Sequence, residues 1–264
     1  MKMHLNFCEF FPLSDKMRYT RDSIWCKRSA TKNMKITYIG HSGFLIELSH
    51  TLLLFDYYRG KIPPLPKEKE LFVFVSHRHQ DHFNPKIFEL AKEHEKIFYV
   101  ISSDIWKSKI PETLWNQSIQ LKPREEWEKG DIKVLTLKST DEGVAFYVEA
   151  EGKKIYHAGD LNDWHWNEES DEWNLRMFGR YKKFIQPLKG ENIDAAFIPM
   201  DPRQEDNYAL GLEWFLQIAD CKKIYPMHTW GQYELITKWI KEHADSPDRE
   251  KIVVIRQPGD EFEQ

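Results

Sequence analysis

The stretch from Leu71 to His82 constrains this chain more than any other. Leu71-Phe72-Val73-Phe74-Val75 is an unbroken apolar run of β-branched and aromatic residues. A short run without polar alternation reads as a strand buried on both faces. It is followed at once by Ser76-His77-Arg78-His79-Gln80-Asp81-His82, which holds three imidazoles and one carboxylate within six positions. The sheet fixes the backbone of such a loop while its side chains stay free to converge on one point. Imidazole with carboxylate suits zinc, and iron and manganese are also compatible. One such segment can serve two ions, His77 and His79 toward one, Asp81 and His82 toward its neighbour. The bland alternative is a histidine-rich surface turn, and the density of donors at the end of a core strand argues against it.

At 264 residues the chain is long enough for one large domain or two small ones. A net charge of -4 gives no general attraction for phosphate backbones or anionic lipid, so a generic binder of long nucleic acid is disfavoured. Cys8, Cys26 and Cys221 lie far apart with no CxxC pairing. They make no disulfide framework and fit a reducing cytosol. No apolar run reaches the roughly 18 residues of a membrane span, and the N-terminus lacks the apolar core and cleavage site of a signal peptide. The expectation is a cytoplasmic protein with no membrane partner.

Residues 1–33 mix aromatics with Lys, Arg, Ser and Thr and show no sustained period. They are expected to form a poorly ordered extension that is dispensable for chemistry. Regular structure begins at Met34. Lys35–Ile39, Gly43–Leu48 and Leu52–Phe55 read as a meander, and a helix is predicted from Pro85 to about His94. Further strands are predicted at Ile97–Ile101, Ile119–Leu121, Ile132–Leu137, Val144–Ala150, Lys154–His157, Ala195–Ile198 and Lys223–Tyr225, with a last one at Ile252–Ile255. Helices are predicted within 163–190 and over Tyr208–Ala219 and Tyr233–His243. Strand-rich halves, each finished by helices, suggest two packed sheets with helices outside.

Two more segments end a strand in a potential metal ligand. Tyr156-His157-Ala158-Gly159-Asp160 places a carboxylate beyond a small-residue turn, where Gly159 lets the backbone approach an ion and Asp160 has two oxygens with which to bridge. An ordinary turn aspartate is the competing reading. Pro226-Met227-His228 delivers a histidine into a loop, a placement that is more often structural when it occurs alone.

Taken together, HxHxDH at His77, His79, Asp81 and His82, AGD ending at Asp160 and PMH ending at His228 resemble the metallo-β-lactamase fold superfamily. Order and spacing agree over residues 34–256. The segments Tyr38-Ile39-Gly40-His41-Ser42-Gly43-Phe44 and Leu53-Leu54-Phe55-Asp56 look like the branch that contains sugar-phosphate lactonase-like proteins. The resemblance implies an α/β (α+β) fold, a four-layer αββα sandwich over residues 34–264, with two divalent metal ions in a cleft at one edge of the sheets. Zinc is the first expectation for these ions. The chain departs from the pattern at one point: Ser139 stands at or near the place of a third histidine for the first ion. Asp141, or failing that Glu142, would have to turn inward. The added oxygen donor would shift preference toward manganese or iron. The other outcome is a weak first site, leaving a mononuclear site at Asp81, His82, Asp160 and His228.

Other residues carry smaller claims. Asp56 ends a strand and is expected to orient a ligating histidine. His41 resembles a position near the cleft, with a turn role equally open, and His157 reads as core. Arg203 in Asp201-Pro202-Arg203 would reach an anionic substrate, although a surface salt bridge is favoured. The aromatics of Asp163-Trp164-His165-Trp166 and Trp173 either wall the cleft or pack the next helix. The leading expectation is a metal-dependent hydrolase. Metal-bound hydroxide would attack a small ester, lactone or phosphodiester, with Asp81 orienting it or taking its proton. The rivals are a nuclease or cyclic-nucleotide phosphodiesterase on the same fold, and a non-catalytic metal-binding or ligand-sensing protein.

Overall fold

Strand alternation sorts the apolar residues of this chain into two cores. The structure, a computed structural model, describes residues 33–264. The expectations for the N-terminal extension through residue 32, with Cys8 and Cys26, lie outside the described residues. In chain order the strands are β1 (Lys35–Gly40), β2 (Gly43–Glu47), β3 (Thr51–Phe55), β4 (Glu70–Val75), β5 (Ile97–Ser102), β6 (Ser118–Leu121) and β7 (Glu126–Lys129). They continue as β8 (Ile132–Lys138), β9 (Val144–Ala150), β10 (Lys153–His157), β11 (Asn192–Pro199), β12 (Asp220–Met227) and β13 (Glu261–Glu263). One sheet runs β13-β1-β2-β3-β4-β5-β6 and the other β12-β11-β10-β9-β8-β7. Each sheet contains an antiparallel meander, β1-β2-β3 or β7-β8-β9-β10, followed by parallel strands.

In β4 the alternation is plain. Phe72 and Phe74 join the core that includes residues of both sheets, while Leu71, Val73 and Val75 join a second cluster with Ile87 and Phe88. Phe74 stacks on Phe55 at 4.6 Å and meets Phe146 of the opposite sheet edge-on at 5.2 Å. Phe44 likewise meets Phe197 across the sheets at 4.5 Å. With both faces covered, β4 has no need of polar alternation, which is why its sequence is a continuous apolar run.

The helices α1 (Asp171–Ile185), α2 (Leu210–Ile218) and α3 (Glu234–Glu242) match the predicted helical regions. Tyr156 of β10 stacks on Phe215 of α2 at 5.6 Å, and the Tyr181 hydroxyl of α1 donates to the Gly211 carbonyl of α2 at 2.8 Å. These contacts seat the helical layer on the second sheet. The αββα expectation holds, but the layer on the first sheet is wound more tightly. The predicted helix from Pro85 is a 3₁₀ segment, Pro85–Lys92, capped by Asn84. The Tyr99 hydroxyl donates to the Ile87 carbonyl at 3.0 Å and fastens this segment to β5.

Two edge strands differ from expectation. Ile252–Ile255 is not a strand; only Ile252 bridges to Ile224. The closing strand is β13, paired antiparallel to β1, with Lys35 and Glu261 2.8 Å apart. Both β13 (Glu-Phe-Glu) and β7 (Glu-Trp-Glu-Lys) are charged on the edge, so neither shows an apolar pattern. No helix of the described residues is long and apolar enough to cross a membrane. Because Phe74 is fully buried against Phe55 and Phe146, Phe74→Ala is expected to lower unfolding stability by about 3–5 kcal/mol in urea titration.

Candidate metal centre

Loops from both sheets converge at one edge and carry nearly every titratable residue that the sequence singled out. His41 lies in the turn between β1 and β2, Asp56 follows β3, and His77, His79, Asp81 and His82 follow β4. Asp141 lies between β8 and β9, while Asp160, Asp201 and His228 follow β10, β11 and β12. Two groups of donors form, in each of which the ligating atoms lie within 4.8 Å of one another. One is His77, His79, Asp141 and Asp160; the other is His41, Asp81, His82 and His228.

Close backbone approach makes the convergence possible. Gly143 adopts φ +66°, and a Cβ there would run into the Ser76 carbonyl and His77. The Val144 amide donates to that same carbonyl at 2.9 Å, tying the β8–β9 loop to the start of the ligand loop. Gly159, at φ +51°, faces the Ser76 side chain, so its small size admits a neighbouring loop and not an ion. His41, Asp56, His228 and Trp230 also adopt left-handed conformations, four of the seven such non-glycine residues described. Conformational strain gathered in one place marks a site whose surroundings over-determine it.

Hydrogen bonds aim the imidazoles. Asp56 is fully buried and accepts from the Ser76 amide at 2.7 Å and the Ser76 hydroxyl at 2.6 Å. Its Oδ2 lies 2.8 Å from His82 Nδ1, which assigns the ring proton there and turns Nε2 toward Asp160 Oδ1 at 3.1 Å. The Ser76 hydroxyl lies 2.9 Å from His77 Nδ1, so the same carboxylate steers two rings. Asp201 repeats the arrangement for His228, 2.8 Å from Nδ1, leaving Nε2 3.4 Å from Asp160 Oδ1. Asp160 therefore faces both groups, with Oδ2 3.4 Å from His77 Nε2 and Oδ1 toward His82 and His228.

His41 Nε2, His82 Nε2, His228 Nε2 and Asp160 Oδ1 are all buried and lack a hydrogen bond among the described residues. Orphaned buried acceptors are costly unless something else meets them. Here they point into a common space, and their chemistry fits a divalent cation. The charges agree. Burial opposes ionisation of Asp160, yet the charges of His82, His228 and His77 hold its carboxyl well below the usual range. Burial likewise opposes the His82 cation, and Asp160 and Asp56 overcome it, raising that imidazole. Burial pushes His41 down to about 4, leaving it neutral and ready to donate a lone pair. A cation would supply the compensation that a proton on His82 supplies without it.

Some roles were hidden in the sequence. His41, weighed there as a turn residue, sits 3.2 Å from Asp81 and in the second donor group. Asp201 appeared only as a partner of Arg203, yet it holds His228. Its signal was a carboxylate just past a buried strand, the pattern already recognised at Asp56. Glu142 does not enter either donor group; it pairs with Arg78 and lies 3.4 Å from His79 Nε2, on the side away from His77. His157 is core, stacked on Phe55 at 5.0 Å with its Nε2 donating to the Ser42 carbonyl at 2.9 Å. Trp164, Trp166 and Trp173 line a cavity of 540 Å³ above the donors, together with Tyr58, Arg203 and Trp230.

A family model described as a beta-lactamase superfamily domain matches residues 35–175, just over half of the chain. A relative from Opitutus terrae named "UPF0173 metal-dependent hydrolase" is 31% identical over 199 residues, which cover 67% of this chain and 75% of that protein. Among solved structures, Igni18, a metallo hydrolase from Ignicoccus hospitalis, superposes with a TM-score of 0.60 at 16% identity, covering 88% of this chain and 98% of its own. YhfI of Bacillus subtilis, a metallo-beta-lactamase fold protein, gives 0.59 at 15%, covering 88% and 100%. These two likenesses concern the fold.

Asp163, beside this site, is only 4% exposed, and burial raises its carboxyl to about 6. The folded state therefore binds this proton more tightly than the unfolded state. Its contribution to stability is full below about pH 4 and is lost as pH rises through 6. Asp163→Asn is expected to remove that part of the pH slope and to raise stability at pH 7 by on the order of 2 kcal/mol, measured by denaturation at pH 4, 5, 6 and 7.

Proposed function

Because the chain belongs to the beta-lactamase superfamily and, within it, to the UPF0173 metal-dependent hydrolases, we propose that its cleft binds two divalent ions and hydrolyses a small ester, lactone or phosphodiester. The observation that carries this reading is the set of orphaned acceptors, His41 Nε2, His82 Nε2, His228 Nε2 and Asp160 Oδ1, buried and turned to one space. In this assignment His77, His79 and Asp141 hold the first ion, and Asp81, His82 and His228, joined by His41, hold the second. Asp160, whose two oxygens face the two groups, would be shared between them. Bound ions of this kind supply Lewis acidity and bring the pKa of water from 15.7 to about 7.

The protein's own groups do the rest. Asp56 and Asp201 fix the tautomers of His82 and His228, so the lone pairs face inward before any ion arrives. Asp81 is 24% exposed at its side chain and opens to the cleft, where it is the group to take a proton from the attacking water. Burial opposes its ionisation, but the nearby His41, 3.2 Å away, and the His82 charge keep it ionised, as a proton acceptor must be. The first ion has two imidazoles and two carboxylates, an oxygen-richer set that favours manganese or iron there, while the nitrogen-rich second set favours zinc.

A polynucleotide fits this cleft poorly. The cavity has the volume of a small-molecule site, Arg203 is the single lysine or arginine lining it among the described residues, and the chain is acidic overall. The sensor alternative rested on an incomplete first site, and Asp141, with its carboxylate 3.7 Å from His79 Nδ1, supports a full donor set instead. A cytoplasmic location accords with the buried free thiol of Cys221.

Elemental analysis of the full chain reconstituted with zinc, manganese or iron is expected to find two ions per chain, with fewer in Asp160→Asn and His82→Ala. A wild-type chain that takes up none of the three metals sinks the proposal. With enough metal added to keep the site loaded, Asp81→Asn is expected to lose about 10²–10⁴-fold in kcat on a panel of small esters, lactones and phosphodiesters. In chelator competition, Asp56→Asn is expected to weaken metal affinity about 10–100-fold, since it leaves His82 unsteered.

A further inference from the structure

The cleft encloses more than donor atoms, and its walls are chemically one-sided. The Trp164 indole Nε1 donates to the Asp160 carbonyl at 3.0 Å, which pins this ring beside the bridging carboxylate. Trp166 lies parallel to it within 7°, with ring centroids 5.8 Å apart. Asn174 of α1 holds the Trp166 backbone at both ends, accepting from its amide at 3.0 Å and donating to its carbonyl at 2.9 Å. The two indoles are thus held as a parallel, offset pair beside the metal-facing carboxylate, with Trp164 buried and Trp166 partly exposed to the cleft.

Across from it stands Arg203. Its Nε and Nη2 donate to Asp201, which also orients His228. The guanidinium lies 5.8 Å from the ring centre of Trp166 and 5.0 Å from that of Trp230. The Arg203 side chain is 53% exposed and is held at the cleft by the buried carboxylate of Asp201 and the two indoles. Nη1 carries no hydrogen bond among the described residues and remains as a charge-assisted donor at the cleft. Of the carboxylates whose charge reaches it, Asp201 is already paired with it, and Asp81 and Asp160 are assigned to the ions in the loaded protein. What faces a substrate is the partly exposed indole of Trp166 with the Arg203 guanidinium beside it.

We propose that the cleft selects a small aromatic carboxylate derivative, with its planar ring against the partly exposed Trp166, its carboxylate on Arg203 Nη1 and its scissile bond over Asp160. The position of the scissile bond rests on the hydrolase reading above; the ring and carboxylate subsites do not. Arg203 and Trp166 act here as substrate-binding residues.

Calorimetry on the metal-loaded full chain, with 4-hydroxybenzoate, phenol and acetate as probes, tests the subsites without requiring turnover. Binding of 4-hydroxybenzoate is expected to be at least tenfold tighter than that of phenol or acetate. Arg203→Met should bring 4-hydroxybenzoate to the level of phenol. Trp166→Ala, which leaves the Asp201 pairing intact, should weaken both aromatic probes tenfold and leave acetate unchanged. Metal content of each variant, measured in parallel, must equal that of the wild type for the comparison to count in favour. Acetate binding as tightly as 4-hydroxybenzoate, or Trp166→Ala leaving all three probes unaffected, overturns the proposal. Either result leaves the hydrolase reading to stand or fall on metal stoichiometry and turnover.

Discussion

Asp56 is the residue on which the cleft depends. It is a carboxylate without solvent access, placed just past β3 beside the end of β4, and a lone buried charge there would be prohibitively costly. It is tolerated because every bond it accepts comes from the ligand loop: the Ser76 amide, the Ser76 hydroxyl and His82 Nδ1. Through the Ser76 hydroxyl it also reaches His77. The loop is thereby fixed to the sheet at its first residue and at its last histidine, and the side chains between are left to face the cleft. Gly143 and Gly159 close in on Ser76 from the second sheet, so both halves of the fold meet at this one serine.

The two donor groups are unlike in exposure as well as in chemistry. In the second, the side chains of His41, His82 and His228 are all at most 2% exposed. In the first, His79 and Asp141 are both more than two-fifths exposed. In the proposed site an ion in the second set would sit in a dry, nitrogen-rich pocket, while the first would stand at the opening with more oxygen around it. In that reading the extra oxygen of the first set comes from Asp141 of the β8–β9 loop, just past Ser139 at the strand end. The tryptophan wall and the clamped Arg203 are on the open side, where a substrate would meet them.

Much of this architecture was legible in the linear order of residues. The apolar runs of β3, β4, β10 and β11 announced buried strands, and the titratable residues just past them announced loops at a common sheet end. The family resemblance followed from HxHxDH, AGD and PMH. Edge strands were not legible, because β7 and β13 keep only one apolar side chain each between charges. The 3₁₀ winding after Pro85 was not legible either, because nothing in the residue pattern separates it from an α-helical start. His41 and Asp201 were underweighted since each is ambiguous alone and acquires meaning only from the ring it faces.

The sequence by itself determined the periodicity of burial, the placement of donors at strand ends and the family to which the chain belongs. These properties are local or are carried by residue type and spacing. Which ring nitrogen faces the cleft, which carboxylate stands in for the absent histidine, and whether the tryptophans wall the site or pack a helix were decided by tertiary structure. Each depends on a contact between segments far apart in the chain: Asp56 with His82, Asp201 with His228, Asp141 with His79, Trp164 with the Asp160 carbonyl. Hydrogen-bond direction and desolvation act over a few ångströms, and only the folded chain brings those atoms that close.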